Sequence, residues 1–284
     1  MSNNALELKN VTKKYERFTL DNISFDLPKG CIMGLIGENG AGKSTTINLI
    51  MNTLARNAGE IKVLGCESSS REFNQIKERI GVVLDEAYFP EVITPCEVNK
   101  IMAKTYANWS TDTFYNYIEE FRLPEKQRFK EYSRGMKMKL AIAVALSHGA
   151  ELLILDEATS GLDPIIRDEI LDIFYDFTRD PNHSILISSH IVSDLEKLCD
   201  YITFLHRGKM LFCDEKDVIL EKYGVANCGK ELFATIPDYA VVGVKESNYG
   251  VQCLVKRDEV SPSLNVEKVS LEDIILYMVK GERK

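Results

Sequence analysis

The sequence has no apolar run long enough to cross a bilayer. Its longest, Leu140-Ala141-Ile142-Ala143-Val144-Ala145-Leu146, covers seven positions, against the ~20 that a spanning helix needs. A charged-then-apolar leader is also missing at its start, so any membrane role is expected through a partner. Metal and disulfide spacings are lacking as well. Seven cysteines stand at 31, 66, 96, 199, 213, 228 and 253, and the nearest pair, Cys199 and Cys213, is 14 residues apart. An odd, scattered set points to free thiols in a reducing cytoplasm. Positive charge is short too: 35 Lys and Arg against 43 Asp and Glu give a formal net charge of −8. That balance argues against sequence-independent binding along a nucleic acid backbone, without excluding local basic patches. No repeat or low-complexity segment is evident, and no linker before residue 224. The 284 residues, 45% hydrophobic, allow a main domain of about 200 residues and a small appendage.

What the chain does contain is Gly37-Glu38-Asn39-Gly40-Ala41-Gly42-Lys43-Ser44-Thr45, which fits the phosphate-cradling pattern G-x-x-x-x-G-K-[ST]. Glycines at 37, 40 and 42 let the backbone turn its N–H groups inward around phosphate oxygens. The short apolar run 31–36 before the loop reads as a buried strand, and 44–50 after it has helical apolar spacing. A strand, a glycine loop and a helix N-terminus in succession form an anion site. In that arrangement Lys43 reaches the β- and γ-phosphates, and the Ser44 hydroxyl completes a Mg²⁺ shell.

Elsewhere the elements alternate. Residues 5–11 and 18–27 read as half-buried antiparallel strands, with Tyr15 between them either packing locally or stacking on a base. Residues 60–65 read as a strand, 71–79 as a short helix and 80–84 as a buried strand ending in the carboxylates Asp85 and Glu86. Thr94-Pro95-Cys96-Glu97 opens a helix with a cap, a proline at the first position and a glutamate at the third. Two helices fill 95–121, the second with an apolar stripe of Phe114, Tyr117, Ile118 and Phe121. Residues 135–148 are helical, with Met136, Leu140, Val144 and Ser147 on one face and Lys137 and Lys139 elsewhere. The run 151–157 reads as a central parallel strand delivering Asp156 and Glu157 to its C-terminal end, where open α/β sheets bind ligands. There Asp156 suits the Mg²⁺ shell beside Ser44, and Glu157 can accept a proton from a water lined up with the γ-phosphate. Asp163 caps a helix that starts at Pro164. The strand 183–189 ends at His190, on the ligand side of the sheet. Strands 201–206 and 209–213 follow, turned by Arg207-Gly208, then a helix to about Tyr223. In the tail, 231–256 alternate as short strands with a turn at Asn248-Tyr249-Gly250. Ser270-Leu271-Glu272-Asp273 caps a last helix with Ile274, Ile275, Met278 and Val279 on an apolar face.

From about residue 5 to 223 these motifs, in this order, resemble the nucleotide-binding subunit of an ATP-binding-cassette (ABC) transporter. The resemblance implies a P-loop NTPase of the ABC ATPase type in the α/β class. It would carry an antiparallel β subdomain, an α-helical subdomain at about 95–148 and, over 224–284, a small α+β appendage similar to that of bacterial ABC-2-type exporter ATPases. Tyr15 falls where the family has its adenine-stacking aromatic, 37–45 is its Walker A loop and 152–157 its Walker B strand. Asp163 closes the D-loop and His190 takes the switch-histidine position. Tyr132-Ser133-Arg134-Gly135-Met136 stands where the family carries Leu-Ser-Gly-Gly-Gln. It keeps Ser133 and Gly135, which meet the γ-phosphate, but brings Arg134 and Met136. The family's Q-loop glutamine appears as Asp85, a residue that can also ligate Mg²⁺, with Glu86 as the alternative.

The resemblance further implies that Ser133 and Gly135 of one chain close over ATP held by the Walker A loop of another. The chain would then work with Mg²⁺ as a homodimer or with a sister cassette, on separately encoded transmembrane permease subunits and without nucleic acid. Its place would be cytoplasmic, on the inner face of the membrane. Export is favoured over import by the tail and by the variant signature. Among other classes, the DNA-acting members carry a coiled-coil insertion that 46–132 is too short to hold, and ribosome-acting members carry two cassettes. A soluble cassette ATPase in cofactor assembly remains the alternative. A cassette that binds ATP without hydrolysing it is weakened by the presence of both Glu157 and His190.

Overall fold

Residues 3–85, 89–247 and 250–281 are described by a computed structural model. Strand β1 (Asn4–Lys14) pairs antiparallel with β2 (Thr19–Pro28), Leu8 facing Phe25. Strand β3 (Ile32–Ile36) leads to α1 (Lys43–Ile50). β4 (Ala58–Val63) pairs back on β1, and the two-residue β5 (Cys66–Glu67) adds to it. A short α2 (Phe73–Ile76) precedes β6 (Ile80–Val83). The helical lobe follows: α3 (Pro95–Thr105), α4 (Thr111–Glu120) and α5 (Arg134–Leu146). Then come β7 (Leu152–Asp156), α6 (Pro164–Phe177), β8 (Ser184–Ser189), α7 (Val192–Leu198), β9 (Tyr201–His206), β10 (Lys209–Glu215) and α8 (Lys216–Lys222). The tail holds β11 (Tyr223–Cys228), α9 (Lys230–Phe233), β12 (Val241–Ser247), β13 (Gly250–Lys256), β14 (Val266–Glu267) and α10 (Leu271–Gly281).

Three sheets result, in the orders β2-β1-β4-β5, β10-β9-β3-β8-β7-β6 and β12-β13-β11-β14. The six-stranded sheet is parallel except for its edge strand β10. Its inner strands are apolar on both faces, as a covered parallel sheet requires. Met33, Leu35, Ile154 and Leu186 pack toward β1, β2 and β4. Ile32, Ile36, Leu153, Leu155, Ile185 and Ile187 pack toward the helices. The helix-side core continues into the tail through Val225, Leu254, Leu271, Ile274 and Tyr277, which join Leu195, Leu198 and Cys199 of the α7 region.

Local capping rules hold where the sequence states them. The Thr94 hydroxyl accepts from the Glu97 N–H, and Glu97 Oε2 accepts from the Thr94 N–H at 2.9 Å. Asp163 Oδ1 accepts from the N–H groups of Ile165 and Ile166. The seven cysteines are free thiols.

Four expectations are corrected. Leu84 is not a buried strand residue: β6 ends at Val83 and Leu84 is exposed. Lys139 does not stand apart from the buried part of α5: the lobe encloses the helix from Met138 to Leu146, and Lys139 is buried with an ion pair to Glu169. Residues 231–240 are not strand but α9 and a following short turn; β13 pairs with β12 on one side and with the earlier β11 on the other. Residues 64 and 65 turn the chain instead of extending β4, both with positive φ. Glu86 lies outside the described residues, as do Asn248 and Tyr249 of the expected tail turn.

Candidate nucleotide site

Parallel register alone assembles the site. Ile36 of β3 aligns with Ser189 of β8, and Ser188 of β8 aligns with Asp156 of β7. One residue further along each strand therefore brings Gly37, Glu157 and His190 to a common rim at the C-terminal ends of three adjacent strands, where such sheets bind ligands.

The loop 37–42 is held from beneath by the β9–β10 hairpin. The Gly208 N–H donates to Ala41 O at 3.0 Å. Gly37 must be glycine, since a Cβ would stand 2.6 Å from Leu205 O. Gly40 and Gly42 have φ of +83° and +115°, values that glycine adopts without strain. Gly42 stands at the N-cap of α1 with no side chain capping that end, so the N–H groups there are available to an anion. The cavity in front of the loop, about 460 Å³, is walled by Glu38, Asn39, Gly40, Gly42, Lys43, Ser44, Thr45, Asp85, Asp156, Glu157 and Phe18. Ala41 is buried behind it.

Among the described residues, four carboxylates and one lysine make up the charge of that wall, and each of these carboxylates has a partner. Lys43, 6% exposed, donates to Gly37 O at 2.7 Å and lies 3.3 Å from Glu157 Oε1. The other oxygen of Glu157 is 2.6 Å from His190 Nδ1. Asp156 accepts from the Ser188 hydroxyl. Glu38 Oε1 is 3.1 Å from Nδ1 of the buried His206. Asp85 Oδ1 accepts from Arg134 at 2.9 Å. Glu157 itself has φ +53°, a strained conformation for a residue with a Cβ and one that concentrates at functional sites. Its N–H is fixed by Ser188 O at 3.0 Å.

Several expected residues fall elsewhere. Tyr15 sits in the β1–β2 turn, 46% exposed, with its ring 6.2 Å from Phe18; Phe18, which the sequence reading passed over, is the aromatic of the cavity wall. Ser133 is exposed and caps α5 by accepting from the Met136 N–H, whereas Gly135 is buried, where a Cβ would stand 2.8 Å from Ile166 Cδ1. Neither lines the phosphate cavity of its own chain among the described residues. Asp163 is exposed at the start of α6, its carboxylate spent on the cap. A further link went unread. Asp194 of α7, 5% exposed, accepts from the Thr159 hydroxyl at 3.0 Å, tying the turn before α6 to the helix after His190. The signals that could have exposed these partners are Ser188-Ser189 just ahead of His190 and Thr159 just after Glu157.

Comparison with known proteins agrees with this geometry. Residues 20–160 match the ABC transporter family. The chain is 35% identical over 215 residues, 75% of its length and 91% of the relative's, to the lantibiotic transport ATP-binding protein SrtF of Streptococcus pyogenes. It is 34% identical over 210 residues, 73% of its length and 68% of the relative's, to the bacitracin transport ATP-binding protein BcrA of Enterococcus faecalis. A solved ATP-binding subunit of an ABC transporter superposes with a TM-score of 0.69 at 27% identity, covering 76% of this chain and 91% of that one. Among the described residues no helix is long and apolar enough to cross a membrane. With its phosphate loop, carboxylate strand and histidine on one rim, the chain belongs to the ATP-binding, ATP-hydrolysing subunits of ABC transporters.

Proposed function

We propose that this chain powers export through separate transmembrane permease subunits, by closing as a dimer, with itself or with a sister cassette, over two ATP molecules. The observation that carries the reading is a separation. The phosphate cavity is lined by Glu38, Asn39, Gly40, Gly42, Lys43, Ser44 and Thr45 with Asp156 and Glu157, while Ser133 faces solvent outside it. A site needing both is completed by a second copy. The names of the relatives, bacitracin and lantibiotic transport, support a transport role. The chain would sit at the cytoplasmic face of its permease.

In this reading the α1 N-terminus and the N–H groups of 38–44 hold the β- and γ-phosphates, and Lys43 turns from Glu157 to the phosphate it then neutralises. Tyr15 provides a platform for adenine beside Phe18. Glu157 orients the attacking water and takes its proton; His190, already bonded to Glu157, contacts the γ-phosphate. Gly135 offers backbone N–H and Ser133 its hydroxyl across the interface, and Asp163 shapes the loop that meets the other chain.

The wall also fits a divalent cation. Among the described residues it carries four carboxylates and one lysine, so added positive charge favours the entry of a triphosphate. No cluster of three or more acidic, histidine or cysteine side chains able to hold a metal occurs among the described residues. Mg²⁺ keeps waters and binds through one or two protein groups plus phosphate oxygens. Ser44 and Asp156 would hold it; when bound it offsets charge on the β- and γ-phosphates.

Gel filtration of Glu157→Gln tests the dimer. With ATP and Mg²⁺ the variant is expected to elute at twice the mass seen without nucleotide. A monomer at saturating ATP–Mg²⁺ refutes the two-chain site.

A further inference from the structure

The two departures from the family's pattern touch each other. Arg134, the first residue of α5, donates through Nη2 to Asp85 Oδ1 at 2.9 Å, across 49 positions of sequence. On its other side the guanidinium packs on Gly161, where a Cβ would stand 2.6 Å from Nη1. One side chain therefore spans the end of β6, the start of α5 and the turn before α6.

Asp85 also belongs to the wall of the phosphate cavity. A bare carboxylate there faces the incoming triphosphate with like charge, whereas a guanidinium on it makes the pair neutral. Glutamine, the family's residue, would carry no such charge and need no partner. Asp85 and Arg134 are 54% and 52% exposed. A pair so open to water adds little to fold stability, so its effect falls on the charge of the cavity.

We propose that Arg134 is the counter-ion that makes an aspartate acceptable in the ATP cavity. The substitutions at 85 and 134 are then one coupled change, and Arg134 is a positioning residue for nucleotide binding. This rests on the chain being an ATP-binding cassette, as its family membership states. It assigns Asp85 to Arg134 in place of Mg²⁺.

The test is calorimetric titration of the full chain with ATP, with and without Mg²⁺, at low and high salt. Arg134→Gln should weaken binding about three- to tenfold, more without Mg²⁺ than with it, and less at high salt where the repulsion is screened. Asp85→Asn in the same chain should restore affinity to within about twofold of the parent, and Arg134→Lys should keep most of it, because both remove or balance the charge. Thermal midpoints should stay level through the series, separating this role from a merely structural one. The proposal is overturned if Arg134→Gln leaves affinity unchanged, if Asp85→Asn gives no recovery in the double variant, or if Asp85→Asn abolishes the Mg²⁺ dependence whatever stands at 134. The cassette reading fails separately, if Lys43→Ala binds ATP as the parent does.

Discussion

His190 Nδ1 stands 2.6 Å from Glu157 Oε2, although 33 residues of chain separate them. Nothing in either side chain alone arranges this. It follows from the parallel pairing of β7 with β8: Glu157 is the first residue past the end of β7 and His190 the first past the end of β8, so the two leave neighbouring strand ends. Glu157 then departs from extended geometry at φ +53°, which turns its carboxylate between His190 and Lys43. The strain is of order 1 kcal/mol or more and is held by two contacts from Ser188.

Replacing that carboxylate by its amide should separate binding from hydrolysis. Glu157→Gln keeps the size and the backbone but cannot take a proton, so turnover should fall by about 100-fold or more. ATP affinity should hold or improve, because Lys43 loses its competing anion at 3.3 Å. Phosphate release and nucleotide binding, measured on one preparation, check the split; parallel losses in both would contradict it.

Lys43 offers the complementary case. It is 6% exposed and bonded to Gly37 O, a cation kept out of water and aimed at the loop's own mouth. Lys43→Ala removes the only lysine of the cavity wall among the described residues and leaves its carboxylates unopposed from that side. ATP affinity should fall at least about tenfold and turnover should vanish. Normal turnover would mean that the loop does not hold phosphate.

Tyr15 should act on the base alone. Its ring is solvent-exposed at 46%, with Lys13 Nζ 5.4 Å above it, while the phosphate cavity lies toward Phe18. Stacking an aromatic on a base contributes roughly 1–3 kcal/mol, so Tyr15→Ala should weaken ATP by about five- to 100-fold and Tyr15→Trp should retain it. Inorganic tripolyphosphate should bind both variants equally. A matching loss with tripolyphosphate would place Tyr15 in loop packing instead.

The parts of this site that the sequence discloses are those governed by neighbours in the chain. The glycine loop, the strand ending in Asp156-Glu157, the Thr94–Glu97 capping box and the Asp163-Pro164 helix start all obey rules spanning a few residues. What escaped notice depends on contacts across the fold. The ion pair of Asp85 with Arg134 and the burial of Lys139 against Glu169 are set by how the helical lobe packs, and no local pattern encodes that. Residues 231–240 misled for a related reason: an alternating pattern lacks the partner strand that would make it a sheet, and α9 forms instead. Phe18 was overshadowed by Tyr15, three positions earlier, although only the later ring reaches the cavity wall.

The tail should unfold with the cassette. Ile274 and Tyr277 of α10, 0% and 2% exposed, share one core with Leu195 and Leu198, and the Leu271 N–H donates to Glu196 of α7 at 3.2 Å. Ile274→Ala should cost about 2–4 kcal/mol through the cavity it leaves. Because Trp109, the only tryptophan, reports from the helical lobe, its emission should shift to lower urea together with the circular dichroism signal. A tryptophan transition that stays put while helix signal is lost would show the tail melting alone.

His148 should give stability an acid-side dependence. Its ring is stacked on Tyr106 at 4.1 Å, with Nδ1 3.0 Å from Glu78 O. Burial holds its pKa below the ordinary 6.5, outweighing the opposing pull of the Glu78 backbone and charge. The native ring therefore stays neutral in a range where the unfolded ring takes up a proton. Stability is complete above about pH 6.5 and declines as pH falls through that value toward the native pKa, because there the unfolded state binds more protons. His148→Phe keeps an aromatic on Tyr106 and removes the titration. Urea midpoints at about pH 7.5 and pH 5.5 should differ more for the parent than for the variant; equal differences would mean that His148 titrates alike in both states.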